Sequence, residues 1–309
     1  MSGKLQTVMR GTHSMVNNVH NITTEAASRL VGLGPVKSEP PQAPTVRKVH
    51  RYPVIEIFGP TIQGEGIMTG STSHFLRFAG CGYRCKWCDS MYAVDPAQIK
   101  ENVKHYELAE LLGAINVLGD CAYITLTGGD PCIQTHMEDL TLSLSSQGYR
   151  LAVETQGQYF PPWLINCDVI TFSPKPPSSG NITEVDKIAQ WLYNTTRKQQ
   201  SHLTTCVKIA IFTPEDFEYA VQAYTALTPQ NGAPLYDEFW FIAGTPQVAD
   251  VENRLNGLLT NYHMIAEQVL QMIKTGVPTV SPGALTFNPY VRVGCQQHVL
   301  LWPTQTRGV

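Results

Sequence analysis

The sequence is short of charge. Only 15% of its residues are Asp, Glu, Lys or Arg, and 22 basic residues stand against 25 acidic ones, a formal net charge of -3. That balance leaves no basic footprint for a phosphate backbone or an anionic membrane surface, so no nucleic acid and no membrane is expected as a partner, and a small molecule is. There is no apolar run of the ~20 residues needed to span a bilayer, and the N-terminus lacks the apolar stretch of a secretory signal. Without such a signal, the eight cysteines of this 309-residue chain do not make a small disulfide framework, and a reducing, cytoplasmic setting fits them better.

What is present is organised around Cys81-Gly82-Tyr83-Arg84-Cys85-Lys86-Trp87-Cys88, which sets three thiols at CX3CX2C spacing directly after an apolar, strand-like run from His74 to Ala79. Thiolates are soft ligands for zinc and for iron-sulfur centres, and a closed site normally takes four protein ligands. This loop supplies three, which leaves one metal corner open. An open iron on a 4Fe-4S cluster is where S-adenosylmethionine can chelate through its amino and carboxylate groups. The alternatives from spacing alone are a structural zinc site with a distant fourth ligand, or three unrelated buried cysteines.

Residues 1–50 are polar, carry only weak helical periodicity between Ser14 and Leu33, and end in a proline-rich run from Pro35 to Pro44; they read as a mobile extension, with one domain over 51–309. From Val54 to Phe58 the sequence reads as a strand ending in Gly59-Pro60, followed by the glycine-flanked loop Gln63-Gly64-Glu65-Gly66. Strand-like runs then alternate with helical ones. Strands are expected at His74–Ala79, Cys121–Leu126, Tyr149–Glu154, Asp168–Phe172, Thr205–Phe212 and Asp237–Ile242, and helices near Tyr106–Leu118, Gln134–Ser146, Glu184–Thr196 and Pro214–Ala226. A long amphipathic helix follows between Val248 and Lys274, and a strand pair, Tyr290–Val293 and His298–Trp302, is expected to close the chain. Alternating βα units predict a parallel sheet, whose ligands sit beyond the carboxyl ends of its strands. Thr127–Pro131, Glu154–Gly157 and Ser173–Gly180 each follow such a strand and would share one rim with the cysteine loop.

Taken together, these motifs resemble the 7-carboxy-7-deazaguanine synthase family of the radical S-adenosylmethionine superfamily. The likeness runs from about Pro53 to Val309. It rests on Glu56 to Gly66, Arg77 to Gly80 leading into the cysteines, Cys88-Asp89-Ser90, Glu154 to Gly157, Ser173 to Gly180, Val291 to Val293, Gln297-His298 and Arg307 to Val309. The resemblance implies an α/β fold, an incomplete, modified parallel β/α barrel of the radical S-adenosylmethionine type, working as a homodimer with an electron donor such as flavodoxin. It implies a lyase reaction of queuosine-type 7-deazapurine biosynthesis, conversion of 6-carboxy-5,6,7,8-tetrahydropterin to 7-carboxy-7-deazaguanine with loss of ammonia. The cofactors would be a 4Fe-4S cluster on Cys81, Cys85 and Cys88, S-adenosylmethionine, and magnesium (Mg2+).

Carried over position by position, the resemblance implies S-adenosylmethionine contacts at Trp87, Cys88, Asp89, Gly129, Ser173, Pro174 and Lys175. It implies substrate contacts at Ile62, Gln63, Gly64, Glu65, Arg77, Thr127, His298 and Val309, and a magnesium ligand at Ser90. The residues' own chemistry leaves alternatives at three of them. Arg77 lies in an apolar strand, where a charge needs a partner, and either a substrate carboxylate or an internal acid would serve. Ser90 could cap the following turn, and His298 could be a satisfied core histidine. Asp130 stands where the superfamily more often has glutamate, one methylene longer, and is not assigned a cofactor contact. A radical activase acting on a partner protein shares the cysteine loop, and a non-enzymatic electron carrier or zinc-stabilised module remains the reading outside enzymes.

Overall fold

Seven consecutive parallel strands, with helices over one face and a pair of antiparallel strands at one edge, make up the architecture seen in a computed structural model of the chain. The structure describes residues 49–196, 202–228, 234–275, 291–305, 307 and 308. The extension read over residues 1–50 lies outside the described residues except for its last two positions. Residues from Val49 on form one compact unit.

The sheet is built from β1 (Tyr52–Ile62), β2 (Thr72–Phe78), β3 (Lys104–Tyr106), β4 (Tyr123–Gly128), β5 (Arg150–Thr155), β6 (Val169–Phe172), β7 (Thr204–Ile211), β8 (Glu238–Ala243) and β9 (Val291–Cys295). Their order is β3-β1-β2-β4-β5-β6-β7-β8-β9. The β1 pairs with β2 and β3 are antiparallel; every pair from β2 to β9 is parallel. The sheet does not close, so the barrel is incomplete as expected.

The helices are α1 (Pro96–Asn102), α2 (Leu108–Asn116), α3 (Met137–Ser146), α4 (Val185–Thr196), α5 (Pro214–Leu227), α6 (Val251–Thr275) and α7 (Gln297–Leu301). Helix starts follow local chemistry. Asp95 accepts from the Ala97 and Gln98 amides at the head of α1, and Thr213 forms a capping box with Asp216 ahead of α5, with Pro214 at its first position.

Period-two alternation sorts the strand residues onto two faces. Leu76, Ile124, Leu126, Leu151, Val153, Ile170, Val207, Ile209, Phe239 and Phe241 point to the helices and are fully buried among Leu111, Leu140, Leu144, Ile188, Tyr224, Leu258 and Ile265. Each such side chain contributes about 1.5–3 kcal/mol on burial. The intervening residues, among them Arg77, Thr127, Glu154, Lys208 and Ala210, line a cavity on the concave face.

Two expectations need correction. The first strand does not end at Gly59-Pro60. It continues to Ile62 through a register shift between Phe58 and Thr61, because Thr61 and Ile62 regain pairing with Ser73 and Thr72. The segment from His298 to Trp302 is not a strand. Gln297–Leu301 is a short helix, with Trp302 N–H donating to the His298 carbonyl at 2.8 Å. The run Val299-Leu300-Leu301 is too short for periodicity to separate helix from strand, and Leu300 and Leu301 remain exposed. The helix α1 and the edge strand β3 were also not expected; both are short and carry no buried residue.

Candidate active site

One cavity of about 550 Å³ occupies the concave face. Among the residues singled out by sequence, Ile62, Gln63, Gly64, Glu65, Arg77, Cys81, Cys85, Trp87, Cys88, Asp89, Ser90, Thr127, Gly129, Ser173, Lys175 and His298 all line it. Pro174 does not, although it is buried and both its neighbours, Ser173 and Lys175, line the cavity. Val309 lies outside the described residues.

The cysteine loop follows β2 and is fastened to the loop after β6. Lys86 N–H donates to the Ser179 carbonyl at 2.9 Å, Tyr83 Oη to the Ile182 carbonyl at 2.8 Å, and Trp87 Nε1 to Ser178 Oγ at 2.8 Å. Ser178 is in turn held by Asp216, whose Oδ2 accepts from Ser178 Oγ at 2.6 Å and whose Oδ1 accepts from its amide at 3.0 Å. Trp87 stacks on Phe212 at 4.5 Å, and Lys175 Nζ lies 5.7 Å from the indole ring while donating to Ser173 Oγ at 2.9 Å.

The three thiols are free, and sulfur receives two hydrogen bonds: Tyr83 N–H to Cys81 Sγ at 3.4 Å and Asn181 Nδ2 to Cys85 Sγ at 3.5 Å. Burial pushes all three thiols up, Cys88 to about 12 with Asp89 adding to the effect. Ionisation here therefore calls for a positively charged partner such as iron. Among the described residues no three His, Cys, Asp or Glu side chains are drawn together closely enough to hold a metal ion. Cys81, Cys85 and Cys88 share one loop and line one cavity, a set of soft donors that suits an iron-sulfur cluster with one open corner. Beside it, Gly129 has no room for a side chain: an added Cβ would collide with the Gly80 carbonyl.

Asp130 turns away from the cavity. It is fully buried, with Oδ1 accepting from Cys132 N–H and Thr155 Oγ1, both at 2.9 Å, and so it caps the turn Pro131–Ile133. Its Oδ2 has no partner among the described residues, and burial raises its pKa.

Of the two partners considered for Arg77, the internal acid is present. Its Nε donates to Glu56 Oε1 at 2.6 Å, an acid shared with Tyr92 Oη at 2.8 Å, so the internal salt bridge exists. Nη1 donates to Ser90 Oγ at 3.3 Å, and Nη2 makes no hydrogen bond among the described residues. Burial works against the guanidinium, but Tyr92 and Glu56 outweigh it and keep it charged. Ser90 stands at the N-cap position of the turn Met91–Ala93, yet its side chain caps nothing. Its hydroxyl donates instead to Asp89 Oδ1 at 2.9 Å.

The glycine loop after β1 crosses the concave face, its turn Gly66–Met68 packing on β7 and β8. Gly64 lies against α7: an added Cβ would stand 2.8 Å from the His298 amide, and Gln297 N–H donates to the Gly64 carbonyl at 3.1 Å. The loop delivers Gln63 and Glu65 to Lys208 and Glu154. Lys208 Nζ donates to Glu65 Oε2 at 2.7 Å and to Glu154 Oε1 at 2.9 Å, and Gln63 Nε2 donates to the same Glu154 oxygen at 3.0 Å. Gln296, at the end of β9, donates through Nε2 to Glu65 Oε1 at 2.8 Å and to Asp89 Oδ2 at 3.2 Å.

Sequence reasoning did not assign Lys208 or Gln296 to the site, and it placed Glu154 on the rim without a binding role. A signal existed for the first. Lys208 is a lone charge inside the apolar run Cys206-Val207-Lys208-Ile209, as Arg77 is in its own strand.

An open β/α sheet with three free thiols at the carboxyl ends of its strands, beside a glycine-backed wall, defines a radical S-adenosylmethionine enzyme. No family model matches the chain. The 7-carboxy-7-deazaguanine synthase of Bacillus cereus is 37% identical over 176 residues, covering 56% of this chain and 71% of that protein. The enzyme of the same name from Bacillus subtilis is 31% identical over 261 residues, 83% of this chain and 98% of that one. The fold is shared with the crystal structure of QueE from Escherichia coli, at a TM-score of 0.50 and 21% identity over 68% of this chain and 90% of that one. The chain belongs to the 7-carboxy-7-deazaguanine synthase family.

Proposed function

We propose that the chain converts 6-carboxy-5,6,7,8-tetrahydropterin to 7-carboxy-7-deazaguanine with loss of ammonia, the activity that its family membership implies, and that Cys81, Cys85 and Cys88 hold the cluster. One observation carries the reading at the level of residues: three free thiols share a single cavity with a hydrogen-bonding floor suited to a flat heterocycle. When bound, the cluster and S-adenosylmethionine supply the one-electron chemistry that removes hydrogen from carbon 6 of the pterin.

The chain's own residues bind and orient. Arg77 offers its free Nη2 to the substrate carboxylate, and its charge is secured from behind by Glu56. Gln63, Gly64, Glu65, Thr127 and His298 surround the ring, with Ile62 packing at its edge. Gly129 admits S-adenosylmethionine close to the backbone, Ser173 and Lys175 meet its polar groups, and Trp87, Cys88 and Asp89 border it. Pro174 acts through the course of the loop. Magnesium would find Ser90 Oγ next to the Asp89 carboxylate, 2.9 Å away, with substrate oxygens and water completing an oxygen shell. The nearby Arg77 guanidinium makes that shell dependent on the substrate's negative charge.

A homodimer, a one-electron donor such as flavodoxin and a cytoplasmic setting belong to the same reading. Leu259, Leu270 and Ile273, about half exposed on α6, support a partner surface. The unpaired state of all eight cysteines supports a reducing compartment. No helix among the described residues is long and apolar enough to cross a membrane.

The test is anaerobic reconstitution with iron and sulfide, then incubation with reductant, S-adenosylmethionine, magnesium and the carboxylated tetrahydropterin, with product followed by mass spectrometry. Formation of 7-carboxy-7-deazaguanine that disappears in Cys85→Ala is the expected result. Cleavage of S-adenosylmethionine with the pterin untouched would overturn the substrate assignment, and failure to assemble a cluster would overturn the cysteine assignment.

A further inference from the structure

The floor of the cavity holds three charges that are costly to bury. Lys208 is only 6% exposed, and its ammonium is shared between Glu65, on the glycine loop, and Glu154, at the end of β5. Replacing such a group by an apolar residue of equal size is often neutral or stabilising, so a buried ion pair is weak evidence of a stability role. The apolar core lies on the other face of the same strand, where Val207 and Ile209 are fully buried. The pair of carboxylates also uses its oxygens unequally. Both oxygens of Glu65 are taken, by Lys208 and Gln296, whereas Glu154 spends only Oε1, on Lys208 and Gln63, and keeps Oε2 without a partner among the described residues.

We infer that Lys208 is a positioning residue for the substrate: its ammonium bridges Glu65 and Glu154 and holds the two carboxylates side by side, so that the cavity floor presents acceptors to the N–H edge of an aminopyrimidinone ring. This rests on the pterin reading above and deepens it.

Two carboxylates sharing one dry site do not both ionise unless a cation lies between them, since a like charge at such range holds one proton on the pair. Lys208 supplies that cation. Burial alone would raise Glu65, but Lys208, then His298, outweigh it and hold its pKa down at about 2, and Lys208 is itself pushed up by Glu154 and Glu65 against the effect of burial. The other groups facing the triad are Gln63 from the glycine loop, Gln296 and Asp89, His298 on α7, and the thiols of Cys206 on β7 and Cys295 on β9, which burial pushes up. None of these supplies a second cation of fixed charge. An acceptor floor that stays ionised through neutral pH selects a donor-rich ring edge, and rejects a ring that offers acceptors there, because two acceptors facing each other in a dry site are both left unpaired.

The test titrates the reconstituted enzyme anaerobically with the carboxylated tetrahydropterin by calorimetry between pH 6 and pH 9, in the parent, Lys208→Met and Lys208→Arg. In the parent, affinity is expected to be flat across that range. In Lys208→Met one carboxylate takes up a proton, so affinity should fall about tenfold or more at pH 7 and recover as rising pH removes that proton. Lys208→Arg keeps the cation and should restore a flat profile. A Lys208→Met affinity within threefold of the parent, or a loss of the same size at every pH, overturns the inference, as does a pH-dependent profile in Lys208→Arg. Spectroscopic binding of S-adenosylmethionine to the reduced cluster reports whether each variant is folded. If Lys208→Met does not fold, the double variant Lys208→Met, Glu154→Gln, which buries no extra charge, takes its place; parent-like affinity there overturns the inference. A parent protein that binds no pterin at all overturns the function proposed above, a result distinct from every outcome that concerns Lys208.

Discussion

The two faces of strands β4 to β8 share one backbone and one period but opposite chemistry. On the outer face, Ile124, Leu126, Leu151, Val153, Ile170, Val207, Ile209 and Phe239 are apolar, fully buried and covered by helices. On the inner face, Thr125, Thr127, Glu154, Thr171 and Lys208 alternate with them, and most are nearly as buried. Burial therefore does not distinguish core from site in this fold. Hydrogen bonding does: the inner residues bond to one another across strands, as Ser73 Oγ and Thr125 Oγ1 do at 2.8 Å, or across the cavity, as Lys208 does. The outer face carries the apolar core of the domain, and the inner face carries its chemistry together with charges that must stay paired.

That division can be tested by substitutions on each side. The largest effect is expected at Arg77→Met, which leaves Glu56 without its guanidinium. It should cost about 3–5 kcal/mol of stability and, in the protein that remains folded, raise KM for the pterin more than it lowers cleavage of S-adenosylmethionine. Denaturant unfolding and steady-state kinetics read the two parts, and equal losses in both activities would remove Arg77 from the substrate side. On the outer face Leu126→Ala should cost about 2–5 kcal/mol and leave kcat/KM per folded molecule unchanged. A selective loss of activity there would show that the faces are not independent.

Acid provides a third probe. The pKa of Glu65 is depressed from its ordinary 4.5 to about 2, so its contribution to stability is fully present above the unfolded value and is lost as pH falls from 4.5 towards 2. The melting temperature of the parent should drop more steeply over that window than that of Glu65→Gln, whereas parallel curves would mean that the Lys208 pair adds nothing to folding. Thr125→Val, which removes one buried hydrogen bond while keeping the shape, should cost only about 1 kcal/mol, measured by the same unfolding curves. Removing residues 1–45 should leave turnover nearly intact, and a large loss would make that segment part of the enzyme.

The sequence made the outer face legible because long runs of alternating apolar residues are strong local signals, and the positions of β2 and of β4 to β8 come within two residues of expectation at each end. The rim loops were legible for a different reason, since glycine, proline and hydroxyl clusters punctuate each strand end. Two kinds of feature were not. Short elements such as α1, β3 and α7 bury too little to impose a period. The floor depends on partners far apart in the chain: Glu65 and Lys208 are separated by 143 positions and Glu65 and Gln296 by 231. A lone lysine in an apolar strand marks a buried charge, but only the crossing of the glycine loop over β7 reveals what neutralises it.

Gln296 grips both Glu65 and Asp89, so the last strand of the sheet touches the first loop and the cysteine loop at once. A growing polypeptide reaches the ribosome exit with its cysteines more than two hundred residues ahead of that clasp. Until β9 and α7 emerge, the thiols would lie beside an unfinished wall, open to oxygen and to competing metals. A chain cut before Gln296 would therefore leave the cysteine loop without its tie to the glycine loop.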